Sequence, residues 1–273
     1  MNSFLRRLVT WFLIAAVVLY AGLVVLMWAL QDRLVFPGAG RGDRGVPALA
    51  PPAVVGWLGP AGRATRCATM AAANPTAVML YFGGNGEDLF LATANAAALA
   101  AYGAEAIAVE YPGYGASPGR PSVDGLLATA AAALAHGRAR AQALQVPLVV
   151  VGSSLGSFCA VQAAVLGGVD KLVLRAPPTT LAAVAQAQFA WLPVGLLLAH
   201  RFDNLAVAAK VPCPVLVLHG DADTVVPDRY GRELAAALGR ATFVSVPGAG
   251  HNDLDLSPAG SAGPALRAFL AAR

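Results

Sequence analysis

Gly152-Ser153-Ser154-Leu155-Gly156 sets a serine between two glycines, directly after the apolar run 148–151 and before a stretch that can be helical, 155–166. Glycines at those two places leave room for a sharp strand-to-helix turn that holds one hydroxyl in the open. The pattern recurs at Gly115-Ala116-Ser117-Pro118-Gly119. There Pro118 and Pro121 forbid an immediate helix, so Ser117 is expected on a loop and Ser154 is the candidate nucleophile. A serine hydroxyl attacks a carbonyl only when a base takes its proton and a third group orients the base. In strand–turn–helix serine sites the acid and then the histidine follow the serine along the chain. Of the four histidines, His251 alone lies in a glycine-rich loop beyond an apolar run, in PGAGHND. His136 falls in an alanine-arginine helix, His200 near a helix end, and His219 at a strand end suited to structural hydrogen bonding. The acid is Asp223 or Asp221, both in HGDADTVVP. Asp223 is preferred, because an aspartate in the place of Asp221 commonly bonds the amides of its own turn.

These groups need elements that bring them together. From residue 77 onward, short apolar runs alternate with longer alanine-rich stretches. The runs are 77–82, 106–110, 148–151, Lys171–Arg175, 215–219 and Ala241–Val246. The helical stretches are 88–102, Val123–Leu144, 155–166, 229–238 and 258–271. Strands apolar on nearly every residue belong in a sheet covered on both faces. Their alternation with helices predicts an α/β fold with a mostly parallel central sheet and helices on both faces. In such a fold ligands bind beyond the carboxyl ends of the strands, where the loops bearing Ser154, Asp223 and His251 all fall.

The chain has 273 residues, of which 57% are hydrophobic and 12% charged, with a net charge of +4. That composition excludes disorder, and singly scattered arginines without a basic run argue against a nucleic-acid partner. Part of the apolar excess lies in one uncharged segment, residues 8–30. At about 1.5 Å per residue it is roughly 34 Å long, enough to cross a bilayer core of about 30 Å. A cleaved signal peptide has a shorter apolar core and a small-residue exit, whereas this segment leaves through MWALQDRLVF, so a retained anchor is expected. Arg6 and Arg7 precede it; Arg33, Arg41 and Arg44 follow, offset by Asp32 and Asp43. The balance leans towards the amino end inside and the large domain on the extracytoplasmic face. The expected division is an anchor with its flanks over 1–33, a linker and leading strands over 34–60 with Val54–Leu58 the candidate strand, and a catalytic domain over 61–273. The three cysteines, Cys67, Cys159 and Cys213, have no metal-ligand spacing, so neither a metal nor a cofactor is expected; a disulfide between two of them stays open.

QDRLVFP, LYFGGNGED, EYPGYGASPGRPS, GSSLG, RFDNLAVAAKVPCPVLVLHGDADTVVP and PGAGHND together resemble the serine-nucleophile α/β-hydrolase superfamily. The likeness is closest to its small membrane-anchored branch, which includes acyl-protein thioesterases. The resemblance implies an α/β-hydrolase fold, hydrolysis of acyl esters or thioesters, a small-molecule or lipid-like acyl substrate, and Asp223 as the acid. It also implies an oxyanion hole from the Asn85 N–H, with Gly84 beside it, and the N–H of Leu155 after the nucleophile. The branch's histidine before the oxyanion glycine is Gly83 here, its frequent arginine before the nucleophile is Ser153, and Phe158 stands where glycine is frequent. These departures border the site and bear on substrate preference. The segment QFAWLPVGLLLAHR, residues 188–201, is either an apolar flap that brings Trp191, Leu196 and Leu197 to an acyl chain or an ordinary covering helix. A peptidase on the same fold and a catalytically silent tethered binding protein are the alternatives in function.

Overall fold

Six consecutive strands run parallel because each is followed by a helix that returns the chain across the sheet. The computed structural model describes residues 3–50, 52–60 and 64–272; the ends of the expected division, 1–2 and 273, and its junction at 61–63 lie outside the described residues. The eight strands are β1 (Val54–Leu58), β2 (Thr65–Met70), β3 (Val78–Phe82), β4 (Glu105–Val109), β5 (Leu148–Ser153), β6 (Lys171–Arg175), β7 (Val215–Gly220) and β8 (Ala241–Val246). They form one sheet in the order β1-β2-β4-β3-β5-β6-β7-β8; β1 with β2 and β2 with β4 are antiparallel, and every other pair is parallel. Strands β3, β4 and β5 are buried at every position, as expected for a sheet covered on both faces.

Helices α2 (Leu89–Ala100) and α9 (Gly263–Ala271) cover one face; α3 (Val123–Leu144), α4 (Gly156–Val165), α7 (Leu205–Ala208) and α8 (Asp228–Ala237) cover the other. Their starts are chemically marked. Asp88 caps α2 by accepting from the Leu91 N–H, and Ser122 caps α3 by accepting from the Gly125 N–H. Between β6 and α7 lie α5 (Leu181–Gln188), capped by Thr180, and the single turn α6 (Val194–Leu197). The expected stretch 258–271 is helical only from Gly263, because the turn before it closes on Asp255.

The apolar segment extends beyond its uncharged core into a continuous helix, α1 (Ser3–Val35), long and apolar enough to cross a membrane. The residues after it are not a free linker. Phe36 is buried against His200 and Phe202, Ala39 bridges to Tyr114, and the Gly40 N–H donates to the Gly113 carbonyl. All three cysteines are free and buried, and burial pushes the Cys67 thiol up to about 11 and the Cys159 thiol up to about 12. Among the described residues no group of three His, Cys, Asp or Glu side chains could hold a metal ion.

Candidate active site

β5 ends on Ser153, and the next residue turns back with φ +49° at Ser154, a left-handed conformation that costs a non-glycine residue on the order of 1–2 kcal/mol. Neighbouring backbone holds it there: the Ser154 N–H donates to the Arg175 carbonyl at 2.8 Å. The flanking glycines are required by contact. A Cβ on Gly152 would sit 2.6 Å from the Ala160 Cβ, and one on Gly156 would sit 2.1 Å from the Phe82 carbonyl oxygen. The turn is thus wedged between the end of β3 and the first turn of α4. Ser117, the serine of the second match, is buried; its Oγ donates to Glu110 Oε2 at 2.7 Å and accepts from the Arg66 N–H at 2.8 Å. Its role is structural.

His251 brings Nε2 to 3.0 Å from Ser154 Oγ and Nδ1 to 2.7 Å from Asp223 Oδ2. A carboxylate can only accept, so the ring proton sits on Nδ1 and the Nε2 lone pair faces the hydroxyl. Asp223 Oδ1 accepts from the Val225 and Val226 N–H groups at 2.9 and 2.8 Å. Burial raises the Asp223 pKa, but the hydrogen bonds from His219 and His251 outweigh it and hold the carboxyl well below the usual carboxylate range. His219, fully buried, donates from Nε2 to the Val226 carbonyl at 2.8 Å and lies 3.3 Å from Asp223 Oδ2. It therefore braces both the acid and the loop that carries it. Asp221 instead accepts from the Gly248 N–H at 2.7 Å, fastening the loop after β7 to the loop that bears His251.

The loop after β3 supplies the opposite wall. Among the described residues neither the Asn85 N–H nor the Leu155 N–H has a hydrogen-bond acceptor. Asn85 is fixed from outside: its carbonyl accepts from the Gly38 N–H at 3.1 Å and Tyr114 Oη at 2.7 Å, and its Nδ2 donates to the Val35 carbonyl at 3.1 Å. Gly84 lies beside Ser154, where the resemblance put it, but its N–H donates to Glu87 Oε1 at 2.9 Å and is no free donor. Glu87 was not singled out from the sequence. Its carboxylate also accepts from Tyr81 Oη and Asn95 Nδ2, which ties the loop to β3 and α2.

Ser154, His251, Asn85 and Leu155 open together onto a cavity of about 490 Å³. Its apolar wall is Val35, Phe158, Leu181, Val184 and Val225. Trp191, Leu196 and Leu197, which would line the site if the segment 188–201 were a flap, do not line this cavity. Trp191 packs edge-on against Tyr20, Leu196 is 86% exposed, and Leu197 lines a separate groove against α1. The reason is that residues 189–198 pack along α1, leaving the first turns of α5 to face Ser154. No spacing in the sequence marks Val35 or Val184 as site residues, since both reach the cavity through packing between distant segments.

The comparisons bear on the family. Residues 196–272 match a family described as TAP-like protein. An uncharacterized protein of Mycobacterium tuberculosis, Rv2307c, is 34% identical over 271 residues, covering 94% of this chain and 93% of that protein. Human alpha/beta hydrolase domain-containing protein 17B is 30% identical over 148 residues, 54% of this chain and 50% of that protein. Among solved structures, an esterase of Pyrococcus furiosus superposes with a TM-score of 0.66 at 15% identity, covering 84% of this chain and 95% of its own. A puromycin-hydrolyzing peptidase of Mycobacterium tuberculosis gives 0.60 at 20% identity, covering 80% of this chain and 38% of its own. With a parallel sheet flanked on both faces, a strained serine turn after its fifth strand and relatives of this kind, the chain belongs to the α/β-hydrolase superfamily.

Proposed function

We propose that the protein is a membrane-anchored serine hydrolase that cleaves acyl esters or thioesters. The observation that carries this reading is the continuous contact from Asp223 through His251 to Ser154, 2.7 and 3.0 Å, at the mouth of one cavity. In this mechanism Ser154 Oγ attacks the acyl carbonyl as its proton passes to His251 Nε2. Ionised Asp223 holds the imidazole and stabilises its cation. The Asn85 and Leu155 amides receive the developing oxyanion; losing one such donor typically costs about 3–4 kcal/mol of transition-state stabilisation. His251 then gives its proton to the departing alcohol or thiol, and water releases the acyl group by the reverse sequence. The chain's own residues supply every step, and α1 would hold the domain at the extracytoplasmic face of a bilayer.

Esters are favoured over peptides by the one acidic side chain facing the cavity away from the histidine. Glu87 could bind a substrate ammonium, but its oxygens are already engaged by Gly84, Tyr81 and Asn95. Several solved neighbours are esterases, which agrees with this choice. The test is labelling with a fluorophosphonate, followed by turnover of p-nitrophenyl esters, acyl thioesters and aminoacyl amides. The expected result is labelling of the wild type and not of Ser154→Ala, with ester or thioester turnover exceeding amide turnover. An unlabelled wild type would favour a silent tethered domain, and faster amide cleavage would make it a peptidase.

A further inference from the structure

A second groove runs between α1 and the α5–α6 segment, lined by Met27, Trp28 and Leu34 on one side and Ala185, Phe189 and Leu197 on the other. Val35 lines both this groove and the Ser154 cavity. Helix α5 is the rest of the partition: Leu181 and Val184 face the cavity, and Ala185 faces the groove. Among the described residues the polar groups lining the groove are the Trp28 indole N–H and the Gln31 amide, and the amide is already used. Its Nε2 donates to the Trp28 carbonyl at 2.9 Å and its Oε1 accepts from the Ala199 N–H at 2.8 Å.

The groove's position says what it meets. Tyr20 Oη donates to the Trp191 carbonyl at 3.0 Å, and the two rings meet edge to face at 6.4 Å. From Val35 back to Tyr20 a helix rises about 22 Å. Tyr20 lies well inside the uncharged segment of α1, so the α5–α6 segment lies along the part of the helix that the hydrocarbon would surround. Trp28, Leu34, Trp191 and Leu196 are exposed apolar side chains there, while the exposed Asp32, Arg33, Gln186 and Gln188 mark the polar end of the same face. A carbonyl in hydrocarbon needs an internal donor, and Tyr20 provides one for Trp191.

We propose, on the basis of the ester-hydrolase reading above, that this groove takes one acyl chain of a bilayer-resident ester or thioester, which reaches Ser154 sideways from the lipid past Val35. A hydrocarbon chain fits a lining that is apolar apart from one indole N–H and a satisfied amide, whereas a peptide backbone would lose hydrogen bonds there. The acyl side of the substrate is the one that enters. The Val35 carbonyl accepts from Asn85 Nδ2, beside the proposed oxyanion donor, while Asn252, next to His251 in the chain, also lines the cavity, and the leaving group departs past His251.

The experiment uses the full chain in phosphatidylcholine nanodiscs. The ratio of kcat/KM for p-nitrophenyl palmitate to that for the acetate ester is measured for the wild type, Ala185→Phe, Leu197→Trp and Leu34→Trp. Filling the groove from either wall should lower that ratio roughly tenfold or more, the scale on which hydrophobic pockets discriminate chain length. Fluorophosphonate labelling of Ser154 shows that each variant is folded. A ratio that stays at the wild-type value in labelled variants overturns the proposal and leaves the ester-hydrolase reading standing. A binding arm is independent of turnover: in Ser154→Ala, a diazirine-bearing palmitate should cross-link to Met27–Val35 and to residues 185–198, and Ala185→Phe should abolish this. Cross-links confined to other segments overturn the groove even if the wild type proves to have no esterase activity.

Discussion

Replacing His251 by alanine is expected to lower kcat by about a million-fold, the scale found when the base of a serine triad is removed. Nothing else among the described residues lies within hydrogen-bonding distance of Ser154 Oγ to take its proton; the Nε2 contact at 3.0 Å is its side-chain partner. Asp223→Asn should cost less, about ten-thousand-fold, because the amide presents its N–H to the ring and selects the wrong tautomer. Combining the two should cost little more than His251→Ala alone, since both act through one proton transfer. The measurement is kcat for p-nitrophenyl acetate with the full chain. A loss smaller than about a hundred-fold for His251→Ala would mean that another group is the base, since general-base contributions start at roughly that size. Because the Asp223 pKa is depressed in the fold, its ionisation adds stability. That contribution is whole above the unfolded value of about 3.9 and is lost only as the pH falls through the lower folded value.

Glu110→Ala is expected to destabilise the fold by about 3–5 kcal/mol, the usual cost of breaking a buried ion pair by removing one partner. The Glu110 side chain is fully buried against Arg66, which is itself 8% exposed. Its Oε2 accepts from Arg66 Nε at 3.0 Å and Ser117 Oγ at 2.7 Å, and its Oε1 from the Leu89 N–H at 3.1 Å. Removing the carboxylate leaves Arg66 with only the partly exposed Asp43, and leaves the first turn of α2 and the loop bearing Ser117 without their acceptor. Urea unfolding of the detergent-solubilised protein reads the change. A loss below about 1 kcal/mol, the range of exposed pairs, would mean that Asp43 alone suffices for Arg66.

The sheet and the three side chains that meet at the serine turn, Ser154, His251 and Asp223, each carry a local signal. Residues 148–151 are apolar throughout, and Gly152 and Gly156 then flank Ser154 at a spacing that lets a serine turn sharply. His251 stands alone in its loop. β2 was not legible: TRCATM is short, without alternation or an apolar run, and it is a strand because β1 and β4 flank it and Glu110 neutralises its arginine. Asp221 and Asp223 could not be separated by composition. What separates them is which carboxylate lies opposite the imidazole, and that depends on the register of β7 with β8. Trp191, Leu196 and Leu197 stay out of the catalytic cavity for a related reason. An apolar segment is drawn to the largest apolar surface near it, and that surface is α1 rather than the catalytic cavity. Val35 and the Glu87 cluster are products of tertiary packing, and no window of sequence contains both halves of their contacts.

Asn85 has one hydrogen bond to the last carbonyl of α1 and another to the Gly38 N–H just beyond it. A protease that cut the chain ahead of Phe36 would therefore do more than release a soluble domain. The shed fragment would keep its sheet, its serine turn and the Gly38 and Tyr114 bonds to the Asn85 carbonyl, but the Asn85 side chain would have lost its acceptor on Val35. Such a cut would loosen one side of the proposed oxyanion wall, and turnover by the released fragment should fall below that of the intact protein under the same assay.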